Sequence, residues 1–207
     1  MYRCGYCYMI EIWFIINYFI IKIGLGVAAM EDIAIKPVNQ DIWVDFEALF
    51  QSKGAPSYCW CATWRMNGKE LGAADSVMKK EYMRRLILSG KPVGLLAYSE
   101  GTPIAWCSVA LRETYRNLGG DAALKNVWSI VCFFIKKEFR GKGLVRRLIE
   151  EAKIYARENG AAYLEAFPVD PDSPSYRHMG FVESFNKSGF VYTHMAGTRR
   201  HVMIYKL

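Results

Sequence analysis

The sequence predicts an α+β domain with a mixed sheet, and three observations carry that expectation. Two strand-like runs, Val93 to Tyr98 and Ile104 to Leu111, are joined by Ser99-Glu100-Gly101-Thr102, a hairpin loop by length and composition. A continuous apolar run, VWSIVCFFI from Val127 to Ile135, reads as a buried central strand. Gly143 to Arg157 then gives the strongest helical pattern in the chain, and Ala162 to Phe167 follows as another strand. Antiparallel strands leading into a strand–helix–strand unit make a mixed sheet.

The elements follow in chain order. Ile33 to Val38 alternates weakly and contains Pro37, which suits an edge strand. Asp41 heads a helix with Ile42, Phe46, Leu49 and Phe50 on one face, broken by Gly54 and Pro56. Lys69 to Ser89 reads as one helical region with Val77, Met78, Tyr82, Leu86 and Ile87 apolar, ended by Gly90-Lys91-Pro92. In the helix from Gly143, the residues Leu144, Val145, Leu148, Ile149, Ala152, Tyr155 and Ala156 form one apolar stripe, and Asn159-Gly160 stops it. Pro168, Pro171 and Pro174 mark a loop, and Phe190 to Met195 and Val202 to Leu207 close the chain as strands around Gly197-Thr198.

Composition excludes several classes. The 207 residues suit one domain with room for an appendage, and 52% hydrophobic with 23% charged residues exclude a disordered chain. The net charge of +7 suits a polyanionic partner: nucleic acid, an anionic membrane or a phosphorylated cofactor. The basic residues are scattered apart from one cluster, which argues against a nucleic-acid stripe. Six cysteines sit at 4, 7, 59, 61, 107 and 132. A chain of this size needs no disulfide framework, Cys59-x-Cys61 is a poor zinc spacing, and the three His follow no ligand pattern. Reduced thiols, no metal and a cytoplasmic location are the expectation.

Residues 1–29 differ from the rest, being aromatic and Ile-rich with only Arg3, Glu11 and Lys22 charged. Glu11 and Lys22 shorten the uncharged run below what a spanning helix wants. Three readings stay open: an over-extended start or tail, a membrane anchor, and a structured extension. The expected domain runs over 30–207, where Met30 precedes a natural domain opening.

The basic cluster is the informative segment. A buried strand runs into Arg140-Gly141-Lys142-Gly143, and this turn opens the helix with Leu144, Val145, Arg146 and Arg147. A helix start leaves backbone N–H groups without partners and favours negative charge, so the arrangement fits a diphosphate. Neither a nucleoside-triphosphate loop nor Gly-x-Gly-x-x-Gly is present; Arg146 stands in the third glycine's place.

This segment resembles the Arg/Gln-x-x-Gly-x-Gly/Ala signature of the GNAT superfamily of N-acetyltransferases, with Val145 where the family usually has Gly or Ala. The resemblance covers roughly residues 30 to 207. Cys59-Trp60-Cys61, Trp64-Arg65, Ala105 to Val109, Val127-Trp128-Ser129 and Glu165 to Asp170 are similar to a group of bacterial GNAT proteins. The resemblance implies a three-layer α/β/α domain with a mixed, mostly antiparallel sheet splayed between its fourth and fifth strands. It implies acetyl-CoA as co-substrate, with Phe133, Phe134 and Ile135 pairing with the pantetheine arm. Arg140, Gly141, Lys142, Gly143, Leu144, Val145 and Arg146 would hold the pyrophosphate. An amine-bearing acceptor would attack the thioester directly. A non-catalytic acyl-CoA-binding protein is the alternative, and a homodimer is left open.

The resemblance also directs attention to a base and an acid. Glu165 is the only carboxylate of its strand, on the same face as Tyr163 and Phe167, and is the expected base, with a structural ion pair as the rival account. His178 is a weaker base. Cys59, Cys61, Trp60 and Trp64 fall in the family's acceptor-lining region, and transfer through cysteine is disfavoured because no His lies nearby in sequence to make a thiolate. The family's tyrosine near the CoA sulfur has two registers, Tyr176 with Gly180-Phe181 or Phe185 with Gly189-Phe190. The second uses every element once, with a helix over 182–188. It leaves that position without a phenol and makes Tyr176 the nearest hydroxyl in sequence.

Overall fold

The computed structural model of the chain describes residues 33–207; the readings of residues 1–29 lie outside them. A compact unit runs from Ile35 to Leu207. Among the described residues seven strands are β1 (Ile33–Pro37), β2 (Leu95–Ser99), β3 (Thr102–Leu111), β4 (Val127–Ile135), β5 (Tyr163–Ala166), β6 (Val191–Ala196) and β7 (Arg200–Lys206). They form one sheet in the order β1-β2-β3-β4-β5-β7-β6. The edge position of β1 tolerates Pro37, as expected. Among the described residues five α-helices are α1 (Trp43–Gln51), α2 (Gly68–Ala73), α3 (Ser76–Leu88), α4 (Leu144–Glu158) and α5 (Val182–Asn186).

The β4–β5 pair is parallel and joined through α4; the pairs β2–β3, β3–β4, β5–β7 and β6–β7 are antiparallel. Parallel pairing covers only Val127↔Tyr163 to Ile130↔Ala166. Beyond Ile130 the two strands part, so the sheet is splayed where expected. A bulge coincides with the parting. Ser108 of β3 pairs with Cys132 but Val109 pairs with Ile130, so Val131 is an extra residue on β4. A bulge bends and twists its strand, which re-aims the last third of β4 away from β5.

One apolar cluster packs Phe46, Phe50, Met83 and Ile87 from α1 and α3 against Trp106, Cys132 and Phe134 of the sheet. A second gathers Ala110, Tyr115, Val131, Phe167, Met179 and Val202. Trp60 stacks on Phe50 with centroids 5.6 Å apart and donates from Nε1 to Ser76 Oγ at 3.1 Å, so this tryptophan belongs to the core.

One element departs from its expectation. The region 69–89 is two helices, because Asp75 accepts a hydrogen bond from the Met78 amide at 2.8 Å and starts a new one. Restarting at Asp75 rotates the buried stripe. Val77 and Met78 are 72% and 51% exposed, and Met83 and Ile87 are buried. The second register of the C-terminal region is the one adopted: α5 spans Val182–Asn186, and β6 and β7 form the closing hairpin. Tyr176 lies outside any α-helix, before a single 3-10 turn at Arg177–Met179.

Candidate functional site

The site is one cleft of about 1010 Å³. Its floor is the end of β4, Cys132 to Ile135, where β5 has turned away. One end is the turn before α4, with Arg140, Gly141, Gly143, Leu144, Val145 and Arg146 on the wall. The other walls come from the segment between α1 and α2, with Cys59, Cys61 and Trp64, and from Tyr176, Arg177 and His178.

The turn leaves backbone donors open at the start of α4. Gly143 caps α4 at φ +78° and brings no side chain, whereas α2 and α3 are capped by Asn67 and Asp75. The first hydrogen bonds inside α4 run from Arg146 and Arg147 to Gly143 O. The amides of Leu144 and Val145 precede them and face no capping oxygen. A Cβ placed on Gly141 or Gly143 would meet nothing within 4 Å, so the backbone borders open space. Arg140 Nε donates to Ile135 O at 2.8 Å and ties the turn to the end of β4. Of the residues expected at the cofactor, Lys142 alone does not line the cleft; its ammonium lies 5.6 Å from the Phe139 ring centroid.

The expected catalytic residues part company. Tyr176 is on the cleft wall, in left-handed backbone at φ +60°, its ring 5.9 Å from that of Trp64. Phe185 is fully buried against Phe133 and Phe190. Glu165 does not line the cleft and is 1% exposed. Arg112 holds both its oxygens, Nε to Oε1 at 2.9 Å and Nη2 to Oε2 at 2.5 Å, and Ser129 Oγ donates to Oε1 at 2.6 Å. The geometry is that of an ion pair locking β4, β5 and the loop after β3 together. It does not carry the expectation that Glu165 takes a proton from an acceptor. Arg112 was not legible as its partner, because the two are 53 positions apart.

Among the described residues no Asp or Glu is on the cleft wall. Its titratable groups include His178 and three cysteines. Burial lowers the His178 pKa, and Trp64 Nε1–H donates to His178 Nε2 at 3.3 Å, so the ring is neutral with that lone pair occupied. Cys59 is pushed up to about 11 by burial. Cys61 moves the other way. The Cys132 thiol beside it lowers its pKa most, burial opposes this, and Arg65, Ser108 and Trp106 lower it further. Among the described residues no group of three or more His, Cys, Asp or Glu could hold a metal ion. No described helix is long and apolar enough to cross a membrane.

Comparison with known proteins places this architecture. The fold matches the PaiA N-acetyltransferase of Thermoplasma acidophilum in complex with coenzyme A (TM-score 0.53, 15% identity, 84% of this chain and 99% of that one). It also matches a putative acetyltransferase, YncA of Salmonella typhimurium, with its cofactor acetyl-CoA (0.51, 15%, 85% and 94%). A third match is the ribosomal-protein-alanine N-acetyltransferase of Brucella melitensis (0.51, 16%, 84% and 99%). At these identities the likeness is one of fold. No curated protein matches the chain. The family model described as Acetyltransferase (GNAT) family matches residues 36–181, which take in the end of β1, all of β2 to β5, the cleft turn and α4, and the chain therefore belongs to the GNAT acetyltransferase family.

Proposed function

We propose that the protein is an N-acetyltransferase that moves an acetyl group from acetyl-CoA to an amine by direct attack on the thioester. The observation that carries this reading is the single cleft in which the uncapped start of α4 and the parted end of β4 lie along one path. The residues fit the co-substrate. The amides at the start of α4, with Arg140 and Arg146, are suited to the pyrophosphate. The freed edge of β4 at Phe133 to Ile135 offers backbone groups to the amides of the pantetheine arm, as an added strand would. When bound, acetyl-CoA supplies an activated acyl carbon; the protein supplies position, exclusion of water and a path for the proton.

The far wall, from Cys59 to Trp64 with Tyr176 and His178, is where the acceptor amine would enter. Its aromatic surface suits an acceptor with an apolar body. The test has two parts. Titration calorimetry with acetyl-CoA should give binding that Gly143→Glu abolishes. Release of free CoA thiol across a panel of amines should then rise with particular acceptors only. Binding without transfer to any amine would favour a non-catalytic acyl-CoA carrier.

A further inference from the structure

Two guanidiniums lie against Trp64, on the wall of the cleft opposite the glycine turn. Arg116 Cζ is 5.2 Å and Arg200 Cζ 5.5 Å from the centroid of its ring. Arg200 is also 5.5 Å from the ring of Tyr176, which lines the cleft as well. Several segments meet here. The Arg116 amide donates to Trp64 O at 2.7 Å and ties the loop after β3 to the segment between α1 and α2. Arg200 opens β7, and Tyr176 lies in the loop after β5.

This charge has no counterpart in the protein. Among the described residues no Asp or Glu forms an ion pair with Arg116, with Arg200 or with Arg177 of the cleft wall. Two carboxylates of the adjoining strand and loop are committed elsewhere, Glu165 to Arg112 and Asp170 to His201 Nε2 at 2.9 Å. Arg116 Nε and Arg200 Nη1 are buried with no hydrogen-bond partner, although both residues remain partly exposed. Attraction to the aromatic rings offsets part of the desolvation of a guanidinium, but it leaves N–H donors unsatisfied. The fork of such a group is shaped for an oxyanion, which it grips by parallel hydrogen bonds.

We infer that the acceptor is an amine that also carries a carboxylate, held by Arg200 and Arg116 beside Trp64 with the amine directed along the cleft to the thioester. The inference rests on the transferase reading above and narrows its acceptor class. An apolar body suits the Trp64 and Tyr176 rings, and the acid suits the arginines. The two unpartnered N–H groups match the two oxygens of a carboxylate in number, whereas a phosphate presents three. A polyamine would bring positive charge to a wall that carries Arg140, Arg146 and Arg177 and, among the described residues, no Asp or Glu. The amine nitrogen bonds to the acyl carbon, the C–S bond breaks, and the N–H proton ends on the CoA sulfur. The products are an N-acetyl acid and the CoA thiol; the carboxylate positions the acceptor and takes no part in the bond changes.

The test uses the full chain with acetyl-CoA and matched pairs of L-amino acids and their carboxamides, with phosphoethanolamine and putrescine alongside, reading free CoA thiol. The acids should exceed their carboxamides by about 10–100-fold in kcat/KM. A carboxylate beside an amine favours its protonated form, so bare chemistry favours the carboxamide and the preference reports the protein. Arg200→Met keeps an apolar stem against the rings and should bring the ratio to within a few-fold of one, through KM more than kcat. Arg116→Met should do the same and serves if the first variant does not fold. A merely structural role would lower both members of a pair together. Equal rates for acids and carboxamides, a preference for phosphoethanolamine or putrescine, or a ratio unchanged in both folded variants would overturn the inference. Thermal unfolding without acetyl-CoA gives a second readout: the acids should raise the midpoint more than their carboxamides in wild type and not in Arg200→Met. If the transferase reading fails, no amine is acetylated while this shift persists; if the inference alone fails, amines are acetylated with no preference for acids.

Discussion

Glu165→Gln separates a structural carboxylate from a catalytic one. The glutamine keeps the shape and still accepts from Ser129 Oγ, but it leaves the Arg112 guanidinium facing a neutral amide. Removing one partner of a fully buried pair costs about 3–5 kcal/mol. Arg112 is 21% exposed on its side chain, against 1% for Glu165, so water screens part of the loss, and about 2–3 kcal/mol is expected. For a domain of this size each kcal/mol moves the midpoint by roughly 2–4 °C, which gives a fall of about 4–12 °C. Thermal and urea unfolding measure this directly. Amine acetylation, assayed well below the variant's midpoint, should stay within a few-fold of wild type. A variant of wild-type stability whose transfer rate has dropped by about 10²-fold or more would refute this reasoning and return Glu165 to the role of base.

The same buried pair gives a second probe: a Cβ on Gly120 would sit 2.1 Å from Glu165 Oε2, so Gly120→Ala should destabilise the fold, and combining it with Glu165→Gln should be less than additive in urea unfolding. At the cleft turn, Gly143→Ala meets open space and bears only the left-handed backbone, so a loss of about 1–2 kcal/mol with retained acetyl-CoA binding is expected. Gly143→Glu adds a carboxylate where the pyrophosphate is proposed to lie, and calorimetry should show a loss of more than about 100-fold, near 3 kcal/mol; unchanged affinity in folded protein would remove the cradle from this account. His178 has a pKa lowered by burial, so below its ordinary value of about 6.5 the unfolded chain binds the proton more readily than the folded one. Stability should therefore fall as pH drops from 7.5 to 5.5, and His178→Gln should lessen that fall in urea midpoints; an identical slope in both proteins would count against a buried neutral ring.

Local signals were strong enough in the sequence to name β4, α4 and the turn between them. An unbroken apolar run, a single apolar stripe and two glycines beside basic residues need no distant partner to be read. Restarting a helix at Asp75 is local as well, but a capping oxygen competes there with a periodicity that runs straight through it, and only the packing of Met83 and Ile87 decided between them. The fate of Glu165 was of another kind. Glu165 looked like one of two things, because a side chain's role and reach depend on its neighbours. Those neighbours come from across the sheet: Arg112 lies 53 positions before Glu165, and Ser129 of β4 lies 36 positions before it. The sequence determined the glycine turn and the helix that follows it; the tertiary structure decided the partner of Glu165, because the state of a buried side chain is set by desolvation and by partners the chain brings together only on folding.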